Sequence, residues 1–127
     1  MTTMDKLRYA DTDRQGHVNN GVYATFFETG RVEFIRAAEE HAATADAEFV
    51  LARITIDYLA EVHWPGTVTI GTRIVRIGTS SLTVEQAVIV DGVVCARAES
   101  VIVQIRTSTR KSEPFSDELR EYLASLS

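Results

Sequence analysis

The stretch Asp11-Thr12-Asp13-Arg14-Gln15-Gly16-His17-Val18-Asn19-Asn20 decides how this chain is read. Two acids, a glycine, a histidine and two asparagines are a poor composition for a helix interior or a strand. Asp, Asn and Gly favour turns and caps, because short polar side chains and an unhindered backbone satisfy hydrogen bonds locally. The stretch therefore reads as a polar loop that feeds a helix. On its C-terminal side, Tyr23, Phe26, Phe27, Gly30, Phe34 and Ala37 recur at spacings of three and four, which predicts one helix over 21–40 with a single apolar stripe. Arg31 falls elsewhere on the wheel, and Asn19 or Asn20 suits the N-cap. On its N-terminal side, the short apolar-polar run 7–10 reads as a strand. A helix N-terminus of this kind offers unpaired backbone N–H groups and a dipole that favours developing negative charge.

Farther along, 41–48 reads as the helix end and a loop. Ile54, Ile56 and Tyr58 alternate with Thr55 and Asp57, a half-buried strand. Trp64-Pro65-Gly66 and Gly78-Thr79-Ser80-Ser81 are turns, and Val68 to Ile74 and Leu82 to Val90 alternate between them. Asp91-Gly92 is a two-residue hairpin signal that leads into a long strand over 93–107. One face of that strand carries the small residues Ala96, Ala98 and Ser100, which suit close approach by the aromatic stripe. Glu113-Pro114 ends the sheet, and 115–126 reads as a terminal helix capped by Ser116, with Leu119, Leu123 and Leu126 inward. Consecutive hairpins with one helix on one face imply an antiparallel α+β fold in a single domain, 1–127.

Thirteen basic and eighteen acidic residues give a net charge of −5, which argues against nucleic acid as a partner but leaves room for a local basic cluster. The lone cysteine, Cys95, excludes an internal disulfide and reads as a small buried hydrophobe. Polar residues follow Met1 at once, and no apolar run approaches the roughly 20 residues of a membrane span. The expectation is a cytoplasmic protein with no membrane association.

The pattern Asp-x-Asp-x-x-Gly-His-Val-Asn-Asn, followed by Tyr23 and the pair Phe27-Glu28, resembles the hot-dog-fold acyl-CoA thioesterases of the 4-hydroxybenzoyl-CoA thioesterase-like family. The resemblance implies a sheet wrapped around a long central helix, acyl-CoA as substrate, no cofactor, and a homodimer or homotetramer formed by pairing of sheet edges. It makes Asp13, the second acid, the catalytic carboxylate, acting as base or nucleophile. Composition alone would make Asp13 a turn or cap residue. Asp11 is expected to hold the loop shape. The oxyanion donor is expected to be a backbone N–H at Asn20 or Gly21.

His17 has two readings: a supporting catalytic group, or a loop histidine bonded to backbone. Gly16 either admits the substrate or occupies a left-handed turn position. Asn19, Gly21 and Tyr23 are expected along the substrate path, with Ser80 and Ser81 near the pantetheine arm or simply in a polar turn. Arg76, Arg106, Arg110 and Lys111 are candidates for the phosphates of coenzyme A, or a solvated strand end. Glu28 and Glu33 are alternative helix carboxylates that read better as exposed helix acids. His41 and His63 read as solvated, and the three histidines have no metal-site spacing. Two rival readings of the same fold are a non-catalytic acyl-thioester-binding protein and a dehydratase or hydratase.

Overall fold

The computed structural model describes residues 1–41 and 46–127. Five strands form one antiparallel sheet: β1 (Thr2–Lys6), β2 (Ala47–Tyr58), β3 (Thr67–Ile77), β4 (Ser81–Val90) and β5 (Val93–Arg106), in the order β1-β3-β4-β5-β2. Helix α1 (Asn20–Glu39) packs against β1, β3 and β4, and helix α2 (Asp117–Leu126) packs against β3 and α1. This is the α+β fold that the alternation and the long helix imply, in the hot-dog arrangement that the family resemblance implies. Among the described residues no helix is long and apolar enough to cross a membrane.

Local chemistry explains most of the elements. Asp91 (φ 50°) and Gly92 (φ 78°) supply the two left-handed positions of a tight hairpin between β4 and β5. Ser116 accepts a hydrogen bond from the Leu119 amide at 3.1 Å and starts α2. Four expectations shift. The first strand is Thr2–Lys6, and the run 7–10 instead enters a 3₁₀ turn at Tyr9–Asp11, because Asp11 bends back to accept the Arg8 amide at 2.9 Å. The second strand starts at Ala47, where pairing with Arg106 extends it beyond its clear alternation. Of the loop expected at 41–48, residues 42–45 lie outside the described residues. On α1 it is Ala38 rather than Ala37 that is buried, and Leu126 is exposed at the end of α2.

The core has two parts. Tyr23, Phe26 and Phe27 pack with Leu7, Val18, Val62 and Val68 at one end of the sheet, and Phe34 and Ala38 pack with Leu82, Ile102, Leu119 and Leu123 at the other. Each fully buried aromatic or leucine contributes about 1.5–3 kcal/mol. Between the two parts lies a polar belt. Gln86 Nε2 donates to the Phe27 carbonyl and to Thr72 Oγ1, both at 3.0 Å. Arg31, placed off the apolar stripe from sequence, is also buried. Its Nη1 has no hydrogen-bond partner among the described residues, and desolvation lowers its pKa against the opposing pull of Glu28.

Gly30 sits over this belt. A Cβ there would lie 2.7 Å from Ile70 Cγ2 and 2.9 Å from Gln86 Nε2. Gly30→Ala gains helix propensity of roughly 1 kcal/mol but overpacks the contact, at a cost of about 1–3 kcal/mol. Because those neighbours are interior atoms on two strands, the clash dominates. Urea denaturation of Gly30→Ala is expected to give a lower midpoint than the parent; an unchanged or higher midpoint would contradict the tight contact.

Candidate active site

Residues 12–18 form a small hairpin. Thr12 and Val18 bridge, the Asp13 amide donates to the His17 carbonyl at 2.7 Å, and the Gly16 amide donates to the Asp13 carbonyl at 3.1 Å. Gly16 takes φ 83°, the left-handed residue that closes a three-residue loop, and it faces open space. Its glycine requirement is therefore conformational. Asp13 caps the turn: its Oδ1 accepts the Gln15 amide at 2.8 Å and the His17 amide at 3.1 Å. Its Oδ2 accepts no hydrogen bond among the described residues.

Two bonds fasten the hairpin to the fold. Asn19 N donates to the Asp11 carbonyl, and Val18 N donates to the Val62 carbonyl, both at 2.8 Å. Val18 and Val62 are buried, so the second arm of the hairpin and the segment after β2 are held by apolar contact as well. Asp11 is buried, with its carboxylate bonded to the Arg8 amide and guanidinium, each at 2.9 Å. Asn19 is the N-cap of α1, its Oδ1 accepting the Gly21 amide at 3.1 Å. That bond occupies Gly21. The Asn20 amide, first in the helix, has no intrahelical acceptor.

Asp13, Gln15, His17, Val18, Asn20, Tyr23, Tyr58, Leu59, Ala60 and Glu61 line a cavity of about 380 Å³. Tyr23 is buried edge-on against Tyr58, ring centroids 5.3 Å apart, and burial raises its phenol pKa while a Val62 backbone hydrogen bond opposes that. Tyr58 Oη donates to the Asn20 carbonyl at 3.3 Å. The His17 ring contacts Glu61, with Nε2 at 3.2 Å from Oε2, and His63 Nε2 approaches the same oxygen at 3.5 Å.

Residues 7–123 match the thioesterase-like superfamily across nearly the whole chain. The chain belongs to the thioesterase-like superfamily. Among solved structures, it resembles a predicted thioesterase from Bacillus stearothermophilus at 34% identity and TM-score 0.90, over 98% of this chain and 94% of that one. It also resembles a thioesterase complexed with coenzyme A and Zn from Thermus thermophilus, at 29% identity and TM-score 0.83, over 98% and 92%. An uncharacterized protein of Bacillus subtilis (strain 168), YsmA, is 27% identical over 92% of this chain and 80% of its own length.

In this thioesterase-like chain, the loop residues named from sequence converge, and the others do not. Asp13, His17, Asn20 and Tyr23 share the cavity, while Gly16, Asn19 and Gly21 shape its rim without lining it. Arg76, Ser80, Ser81, Arg106, Arg110 and Lys111 lie at the opposite end of the sheet. β4 runs from Ser81 to Val88 before it reaches the register of Ala96 and Tyr58, about 23 Å at the usual strand rise. Arg106 pairs with Glu113 at 2.9 Å and Arg110 with Glu48. Glu28 and Glu33 do not line the cavity either, and Glu33 accepts a bond from Thr3 Oγ1 at 2.8 Å.

From sequence, Tyr58 reads only as a strand residue, and Leu59, Ala60 and Glu61 go unread because they follow the end of β2, where no periodicity marks a facing side. Cys95 is buried and its thiol pKa is raised by desolvation, as a packing residue. Removing the cap with Asn19→Ala is expected to cost about 1 kcal/mol of stability. Asn20→Ala keeps the backbone amide and is expected to stay within about 0.5 kcal/mol of the parent. Thermal melts of the two variants side by side check the assignment of the cap.

Proposed function

We propose that this chain hydrolyses acyl-CoA thioesters, with Asp13 as general base or nucleophile and the Asn20 backbone amide as oxyanion donor. The observation that supports this reading is that both line one cavity while Asp13 commits only Oδ1 to its loop. Oδ2 is left for a water or for the thioester carbon. As water or the carboxylate adds to the carbonyl, negative charge moves onto oxygen. The Asn20 amide and the positive end of α1 stabilise that charge. The C–S bond then breaks, and the leaving thiolate takes up a proton. If Asp13 attacks directly, water cleaves the resulting anhydride and restores the carboxylate.

Coenzyme A as the thiol component is supported by the coenzyme A complex of the Thermus thermophilus thioesterase. Tyr23, Tyr58 and Leu59 give the cavity an apolar wall for the acyl group. Asp13 is oriented by the His17 backbone amide, so the imidazole has a supporting role. Asp13→Asn can keep both turn hydrogen bonds through its amide oxygen, so the fold is expected to survive. Its turnover on the best substrate of an acyl-CoA panel, followed by free-thiol release, is expected to fall by roughly 10²–10⁴-fold. His17→Ala is expected to lose less. A near-parental rate for Asp13→Asn would remove Asp13 from the mechanism, and no thiol release from any acyl-CoA would favour a non-catalytic binding role.

A homodimer through the β2 edge is part of the same proposal. β2 is a long, unpaired sheet edge, and such edges are usually covered. Its inward residues Ile54 and Ile56 are only half-buried, and Leu51, Tyr58 and Leu59 are exposed. A second subunit at this edge would stand beside the cavity wall at Tyr58 and Leu59. It would also bring its own basic residues into play: Arg76, Arg106, Arg110 and Lys111 can meet the phosphates of a substrate only across a subunit contact. Light scattering at micromolar concentration is expected to give at least twice the mass of the 14.1 kDa chain. A fully active monomer would overturn the shared-site arrangement.

A further inference from the structure

Three side chains from two segments far apart in sequence meet at the rim of the cavity: His17 from one, Glu61 and His63 from the other. Each offers one ligand atom, and the three atoms lie within 4.8 Å of one another. Their backbones are held in place from both sides. His17 and His63 form an antiparallel bridge, and the buried pair Val18 and Val62 locks the adjacent residues through the 2.8 Å Val18–Val62 hydrogen bond. The rings stand edge to face with centroids 4.9 Å apart, and both Nε2 atoms converge on Glu61 Oε2.

Two of the three edges match a particular coordination geometry. A tetrahedral zinc ion, bound at about 2.0–2.1 Å by each ligand, sets its ligand atoms about 3.3–3.4 Å apart. The two measured edges here are 3.2 and 3.5 Å. The third edge, no more than 4.8 Å, would close to that length through a rotation of the exposed His63 side chain.

We propose that His17 Nε2, Glu61 Oε2 and His63 Nε2 form a binding site for a divalent transition-metal ion of the zinc type. Two imidazoles and one carboxylate suit Zn²⁺ and its chemical neighbours Co²⁺ and Ni²⁺, whereas Mg²⁺ and Ca²⁺ require oxygen donors throughout. Three protein ligands leave one coordination position for water or for a donor atom of whatever occupies the cavity. His17 and Glu61 both line that cavity, so a bound ion would stand in its wall, with one ligand from the same hairpin as Asp13. An ion there would also engage the His17 imidazole and join the hairpin to the segment after β2 by a second link besides the valine contact. The site stands on these three side chains alone and holds whether or not the chain is a thioesterase.

The test uses the full chain without an affinity tag. Titration with Co²⁺ is expected to give one ion per chain and the intense visible absorption of a four- or five-coordinate site, displaced by Zn²⁺ and not by Mg²⁺. His63→Ala and Glu61→Gln, checked for native circular dichroism, are expected to weaken binding by at least the roughly 10–100-fold that loss of even an outer-shell partner costs. Asp13→Asn is expected to bind the ion normally, which separates this site from the hydrolytic reading. Histidine-selective NMR of the unmodified chain tests the same assignment without substitution. Zn²⁺ is expected to shift the ring signals of His17 and His63 together and to leave His41 unmoved. Absence of the Co²⁺ band, undiminished binding in both variants, equal competition by Mg²⁺, or a response of His41 like that of the other two would overturn the proposal.

Discussion

The close approach of α1 to the sheet at Gly30 is the constraint on which the rest of the structure depends. The helix can lie low over β3 and β4 only because position 30 has no side chain: even a methyl group would collide with Ile70 and Gln86. At that distance Gln86 reaches the Phe27 carbonyl and Thr72 reaches Gln86, so the belt between the two apolar clusters is bonded as well as packed. A polar group buried without a partner costs stability; Gln86 Nε2 avoids that cost by bonding to the helix backbone and to Thr72, while its Oε1 has no partner among the described residues. The aromatic residues on either side of Gly30 then fill both ends of the sheet.

The height and direction of the helix decide where its N-terminus emerges. With Tyr23, Phe26 and Phe27 committed to the core, Asn19 and Asn20 sit at one end of the sheet, beside the segment that follows β2. The 12–18 hairpin is suspended between these two fixed points, tied to the helix start through Asn19 and to residue 62 through Val18. An exposed loop of this composition has little reason to be rigid on its own. It is ordered because each of its ends is anchored to buried residues. That order holds a carboxylate and a helix-terminal amide in the wall of one cavity.

Burial also separates groups of similar chemistry. Asp11 and Asp13 are near neighbours in sequence, yet the first is buried with its carboxylate bonded to Arg8 and the second keeps one oxygen without a hydrogen bond among the described residues. Glu33 is tied to β1 through Thr3, and Glu61 is turned toward two histidines. Arg31, a strong base by residue type, is buried with its pKa lowered by desolvation. Residue type supplied the candidates, and environment sorted them.

By itself, the sequence determined the elements whose causes are local: the long helix from its apolar stripe, the β4–β5 hairpin from Asp91-Gly92, the second helix from Ser116 and its leucines, and the turn that carries Asp13 from its Asx and glycine chemistry. Those signals lie within a few residues of one another, so hydrogen bonding and side-chain period are enough to read them. The shared cavity, the burial of Arg31 and the meeting of His17 with Glu61 and His63 were decided by tertiary structure. Each depends on packing between segments distant in the chain, where no period or spacing records which side chain will face which. The basic residues show the reverse of this. Arg76, Arg106, Arg110 and Lys111 were grouped with the site by chemistry alone, and strand register carries them to the other end of the sheet, because an antiparallel strand of ten or more residues spans on the order of 30 Å from end to end.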